Sequence, residues 1–290
     1  MKKFLPLIIG VLMQGILTAQ TPVFQTFKDR WVINTPSVET LPKRKLDFRV
    51  AHRFGDIAGK SGGWTTFYGF ENAADVAFGL EYGLNNRLTV GFGRSKGAGQ
   101  LGQLLTGSLK YNVLHQQVDG YPISLTVVGF ETISASQKSS DPSSLNYFEK
   151  FSHRIIYHTA LLAARKFSSR ISVQLSGGLT HRNVVAAGDV NTIFHAGLAT
   201  RIQVTKALGI IGDFTLPLNG RQSPFKSGGN RTYYPPLGIG FEFETGGHVF
   251  QVNFTNSKGI VPTDYIPYTI SNWLDGQYRV GFTISRIFNL

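Results

Sequence analysis

Hydrophobic and polar residues alternate with a period of two along most of this chain. Near its end, Tyr278, Val280, Phe282, Ile284, Phe288 and Leu290 share one parity, while Arg279, Gly281, Thr283 and Ser285 share the other. Side chains on a strand point alternately to opposite faces, so the segment has one apolar and one polar face. The same pattern predicts twelve strands in all. They are 46–54, 73–83, 87–95, 103–113, 121–131 and 153–167, then 170–182, 191–204, 207–216, 236–245, 248–255 and 277–288. Most have the length a strand needs to cross a bilayer at a tilt. Val76, Phe78, Leu80 and Tyr82 oppose Asp75, Ala77, Gly79 and Glu81; Leu237, Ile239, Phe241 and Phe243 oppose Gly238, Gly240, Glu242 and Glu244. The least regular strand is 153–167, where Arg154 and Arg165 differ in parity; it reads as bulged or as outrunning the bilayer.

The connections are sorted as well. Between strands they run long, short, long, short: 55–72 then 84–86, 96–102 then 114–120, and 132–152 then 168–169. The series continues with 183–190 and 205–206, 217–235 and 246–247, and ends on 256–276. Outer-membrane barrels have short periplasmic turns and long external loops, so both ends of the barrel fall on the periplasmic side. The fold expected is an all-β, 12-stranded antiparallel transmembrane barrel. Backbone groups within hydrocarbon all need partners, so strand 46–54 should pair with 277–288 and remove both edges.

Three regions follow. Residues 1–19 read as an export signal: Lys2 and Lys3, an apolar stretch Phe4–Leu17, and Thr18-Ala19 as a small-residue cleavage site. Residues 20–44 carry Pro22, Pro36 and Pro42 and no steady alternation; they read as a periplasmic lead-in, with folding back as a partial plug the second reading. Residues 45–290 are the barrel. Cysteine is absent, which removes disulfides, thiolate metal sites and lipoprotein anchoring. The net charge of +12 falls to near +10 without Lys2 and Lys3. In an exported chain that charge points to anionic lipid headgroups or an anion-preferring lumen, with no nucleic-acid partner.

Candidate chemistry lies on the inward face. Lumen-lining candidates are Arg49, Arg53, Asp75, Glu81, Arg87, Lys110, Arg201, Asp213, Glu242, Glu244 and Arg279, with Lys45, Asp47, Arg170 and Arg182 beside them. Such charges either select solutes in a pore or pair across a filled interior. Twelve strands fall between the filled eight-stranded barrel and the aqueous sixteen-stranded one, so geometry leaves both open. The seven histidines show no metal spacing; His158 and His195 point inward as network members. No catalytic motif appears, and neither a catalytic residue, a cofactor nor a metal is expected. The loops hold Trp64, Tyr68, Phe148, Phe151, Phe225, Tyr233, Tyr234, Tyr265, Tyr268 and Trp273, read as interfacial girdle with glycan binding as the alternative.

Several words of the sequence resemble a family of outer-membrane β-barrels of unknown function from Bacteroidota. They are Ser37–Pro42 with His52–Gly55, then Asn72–Asp75, Leu80–Gly83 and Val90–Ser95. Ala164–Phe167 and Thr180–Asn183 fit its middle hairpin. The resemblance implies an outer-membrane barrel of a Gram-negative bacterium and no activity. The expected role is a narrow, non-enzymatic channel or transporter for small solutes. The alternative is a closed structural or interaction barrel that binds a partner or glycan through its external loops. Expected partners are outer-membrane lipid and the barrel-assembly machinery.

Overall fold

The two-residue period is realised as strands that hydrogen-bond their neighbours around a complete circle. The computed structural model describes residues 21–226 and 232–290; the export signal expected at 1–19 lies outside them. Two short strands, β1 (Trp31–Val32) and β2 (Thr35–Pro36), pair with each other alone. The barrel strands are β3 (Lys45–Phe54), β4 (Ala73–Gly83), β5 (Leu88–Ser95), β6 (Leu104–Leu114), β7 (Ser124–Ser134) and β8 (Ile155–Lys166). They continue as β9 (Ile171–Arg182), β10 (Thr192–Gln203), β11 (Leu208–Pro217), β12 (Leu237–Thr245), β13 (His248–Thr255) and β14 (Arg279–Asn289). Every pair is antiparallel, and β14 closes on β3 from Asn289↔Lys45 to Gly281↔Arg53. Closure leaves no edge to be satisfied in hydrocarbon.

The faces fall as the alternation requires. Phe78, Phe92, Leu175, Ile239 and Phe241 stand on the outer wall and are exposed, while Asp75, Glu242 and Arg279 are buried inside. An outer apolar band over an inner polar face is the arrangement of a barrel in lipid. Strand β8 is not bulged: its register with β7 and with β9 runs unbroken. Arg154 belongs to a 3-10 turn (Phe151–Arg154) ahead of the strand, which removes the parity conflict with the outward Arg165. The ladder shifts register elsewhere, at Arg53/Phe54 and at Asn112/Leu114.

The largest difference from expectation concerns residues 20–44. Rather than remaining below the barrel, the chain from Gln25 to Leu41 folds back into its lumen. It enters beside the turn 115–123, where Val23 N–H donates to Gln116 O at 2.8 Å. It leaves beside the turn 84–87, where Arg44 N–H donates to Gly83 O at 2.9 Å. Between these points β1 and β2 form a hairpin turning at Ile33-Asn34. Ile33 has φ 53, a left-handed conformation that a β-branched residue resists. Asp213 on β11 holds this tip by accepting from the backbone N–H of Asn34 and of Thr35, each at 2.9 Å. The physical reason for the plugging is apolar: Phe27, Val32, Ile33 and Val38 have nowhere to be buried in the periplasm, and inside they pack on Val128, Phe130, Ala160, Leu162, Ala199 and Ile211.

Candidate functional site

The interior is built from three parts: the charged wall, the hairpin and a lid. On the wall formed by β3, β13 and β14, ions and amides grip the hairpin. Asp29 pairs with Arg49, and Arg30 pairs with Asp47 at 2.6 Å. Asp47 also accepts from Ser285 Oγ at 2.8 Å, and Gln251 donates to Trp31 O at 3.0 Å. Arg53 donates to Asn34 Oδ1 at 2.9 Å and also bonds Asn253. Across the lumen, Gln174 of β9 donates to Pro36 O and accepts from Val38 N–H, both at 2.9 Å. Lys110 of β6 donates to Arg30 O and to Glu39 O.

The lid is the external loop 256–278 with its helix α1 (Pro262–Tyr268). It turns inward over the mouth. Asp264 accepts from Ala98 N–H at 2.8 Å and Gly99 N–H at 3.0 Å, fastening the lid to loop 96–103. Asp75 accepts from Gly97 N–H and Ile260 N–H, tying the same two loops to β4. Burial, reinforced by the nearby charge of Asp75, pushes the Asp264 carboxyl up to about 7. The Tyr265 side chain hydrogen-bonds to Thr35 of the hairpin and Thr215 of β11, so lid and hairpin meet. Tyr265 and Phe148, expected as girdle residues, are buried in the mouth and its loops instead, and Tyr268 is half-buried there.

Between hairpin and lid lies a chamber of about 80 Å3. It exists because the facing wall is small: Ala51, Ala77, Gly79, Gly93, Ser95, Thr106 and Ser108 point into it. Trp31, Ile33, Phe130, Ile260 and Val261 supply apolar surface, and Arg49 and Glu81 supply charge. Glu81 Oε1 accepts from Trp31 Nε1 at 3.0 Å. Glu81 Oε2, Arg49 Nε and Ser95 Oγ are buried without a hydrogen-bond partner, although they belong to residues lining one cavity. Buried polar atoms in proteins are mostly paired, and here three unpaired ones belong to residues around a single cavity.

Of the lumen candidates, Arg49 and Glu81 thus line the chamber, while Arg53, Asp75, Lys110 and Asp213 hold hairpin or lid. Arg201 pairs with Glu242 at 2.6 Å lower in the barrel, and Arg279 bonds Asn256 O and Ser271 Oγ under the lid. Glu244 is half-exposed and pairs with Lys28 of the hairpin's entering arm at 2.7 Å. Arg87 is not in the lumen: it sits exposed in the turn before β5, one residue outside the ladder. His158 and His195 stack with ring centroids 5.1 Å apart, and His158 Nδ1 lies 2.9 Å from Thr180 Oγ1. Among the described residues no group of three or more His, Asp or Glu side chains could hold a metal ion.

Sequence reasoning did not single out Asp29, Arg30, Asn34 or Gln174, nor the inward apolar residues of β7, β8, β10 and β11. One signal was available: β8 is apolar on both faces, with Ile156, Ala160, Leu162 and Ala164 inside and Leu161 and Ala163 outside. A strand between lipid and water has no use for that second apolar face.

The family model for "Membrane bound beta barrel domain (DUF5777)" matches residues 27–288. The chain belongs to that family. The matched span begins at Phe27, on the arm that enters the hairpin, and runs into β14. This DUF5777 protein is an outer-membrane β-barrel of a Gram-negative bacterium. Among curated proteins none matches it. Among solved structures it is similar to the KdgM porin, with TM-score 0.49, 9% identity, and 84% of this chain and 99% of that one covered. It is also similar to the COG4313 outer membrane channel from Pseudomonas putida F1, with TM-score 0.46, 16% identity and coverage of 87% and 98%. LpxR from Salmonella typhimurium gives TM-score 0.37, 10% identity and coverage of 85% and 100%.

Proposed function

We propose that this barrel is a gated, non-enzymatic passage for small polar solutes, exported by cleavage after Ala19 and found in a Bacteroidota-like source. The observation that carries the reading is the chamber: a space of about 80 Å3 inside a membrane barrel, lined by three residues that each hold an unpartnered buried polar atom, two of them oppositely charged. Solute sites combine apolar walls with a few convergent polar groups, and this chamber does so. The hairpin closes it below and the lid above, so passage requires both to give way, and loss of the hairpin also removes the Thr35 to which Tyr265 of the lid is bonded.

A second reading is favoured by a specific observation: the hairpin's apolar side is seated on β7, β8, β10 and β11, an attachment suited to permanent closure. The protein would then act through its external loops as an interaction barrel. Planar-bilayer recordings separate the two. For the gated passage, the mature chain gives rare openings, and removal of residues 25–40 gives steady conductance. Insertion of both forms without current would overturn the channel and leave the closed barrel. Gly79→Leu refines the test, because a Cβ there meets only Phe92 O at 3.9 Å and the side chain would fill the chamber. Block of the shortened form by Gly79→Leu is the expected outcome.

A further inference from the structure

Glu81 differs from the other acids of the lumen. Asp47 and Glu242 are each paired with an arginine, and Asp75 and Asp213 each accept two backbone N–H groups. Glu81 forms no ion pair among the described residues. Its Oε1 accepts from the neutral indole N–H of Trp31, and its Oε2 accepts nothing. Lys110, two strands away on β6, gives its ammonium to Arg30 O and Glu39 O instead. Arg49 is the complement. Both of its terminal nitrogens go to Asp29, and its Nε–H has no acceptor.

The strand register places these groups around the chamber. Arg49 is level with Gly79 and Ala51 with Ala77, while Gly79 and Ala77 are level with Gly93 and Ser95. Glu81 and Arg49 therefore share the periplasmic end of the chamber. Ser95 stands at the external end, about 13 Å along the ladder from Glu81. The floor between them is small, made by Gly79, Gly93 and Ala77, and Trp31 and Phe130 face it with ring centroids 5.6 Å apart. Trp31 brings an aromatic ring to the Glu81 carboxylate, and such rings attract cations.

Size and charge narrow the ligand. One water needs about 10–15 Å3 of such space, so a chamber of about 80 Å3 holds roughly five to eight water-sized groups. A lone anion would lie beside the unpaired Glu81 carboxylate, a lone cation would leave Arg49 Nε unbonded, and a neutral polyol would meet neither charge. We propose that the chamber binds one small zwitterion of the α-amino-acid type, its ammonium at Glu81 and Trp31 and its carboxylate at Arg49. The proposal rests on the reading of the barrel as a solute passage and names the solute. Ser95, at the far end, suits a short polar side chain.

Equilibrium binding tests this without any flux. Labelled L-serine is present while the full mature protein refolds in detergent and during the dialysis that follows, so the site can fill whether or not the barrel opens. Saturable binding of one L-serine per chain is expected, displaced by glycine and L-alanine but not by lactate, ethanolamine or glycerol. Glu81→Gln should weaken binding about tenfold or more, as loss of a charged hydrogen bond does. Gly79→Leu, which fills the chamber, should abolish it. No saturable binding to the wild type would overturn the proposal. So would displacement by lactate or ethanolamine as effective as that by L-alanine, or wild-type affinity in Glu81→Gln. If Glu81→Gln does not fold, the competition series on the wild type decides alone. Conductance without L-serine binding would remove the zwitterion and keep the passage, whereas binding without conductance would keep the site and remove the passage.

Discussion

The two sides of the lumen hold the same hairpin by different physics. Toward β7, β8, β10 and β11 the contact is apolar, with Phe27, Val32, Ile33 and Val38 against Phe130, Leu162 and Ile211. Toward β3, β13 and β14 it is ionic and amide-based, through Asp29, Arg30, Asp47, Arg49 and Gln251. Apolar contact is tolerant of direction, whereas a buried ion pair has value only while both partners stay in place. The apolar side thus seats the hairpin, and the ionic side fixes its register. A lumen lined wholly by charges would lack the first property, and one lined wholly by leucine would lack the second.

Substitutions can break this contrast, and the largest effect is expected on the ionic side. Asp29→Ala leaves Arg30 and Arg49 short of a buried partner and should cost about 3–5 kcal/mol. Denaturant titration of the refolded protein in detergent reads it, and Asp29→Asn should recover only part. An unchanged midpoint would show that the network adds nothing. Next comes Leu162→Ala on the apolar seat, at about 2–5 kcal/mol because the side chain is fully buried. Here a side chain of similar volume should suffice: Leu162→Met should recover most of the loss, whereas Asp29→Asn recovers only part; equal recovery on the two sides would remove the distinction. Asp213→Asn is smaller, about 1–3 kcal/mol, since the amide keeps one acceptor for the Asn34 and Thr35 N–H groups. Its signature is local: amide exchange should quicken at the hairpin tip before anywhere else.

The smallest effect on global stability belongs to the lid, which touches both sides. Asp264 ionises at about 7 in the docked lid against an ordinary 3.8. A carboxyl raised in this way favours docking fully below 3.8, and that contribution is lost as pH rises through about 7. Proteolysis within loop 256–278 should therefore speed up between acid and neutral pH, and Asp264→Asn should flatten the profile. Cleavage that slows with rising pH would reverse the sign.

Much of the barrel was legible in the chain. Alternation placed all of the barrel strands, and the sorted loops gave the topology, because both are local consequences of lipid outside and polar groups inside. The ends of β7 and β8 were displaced, since Tyr121–Ile123 and His153-Arg154 belong to connections whose hydrogen bonds leave the ladder. The hairpin was not legible as the occupant of the lumen. Its contacts, such as Val38 with Gln174 or Asn34 with Asp213, join residues more than a hundred positions apart, and no period encodes them. Arg87 shows the converse error: parity alone drew into the lumen a residue that the turn leaves in solvent.

The hairpin goes in and comes out beside the periplasmic turns 115–123 and 84–87. It therefore behaves topologically as a cork on a short tether, not as a rope through a ring. Such a segment can be seated after the wall has zipped shut, and withdrawn again, without any chain end being threaded. Whatever pulls it needs a grip on one side of the membrane only, at the stretches around Pro22 and Lys43.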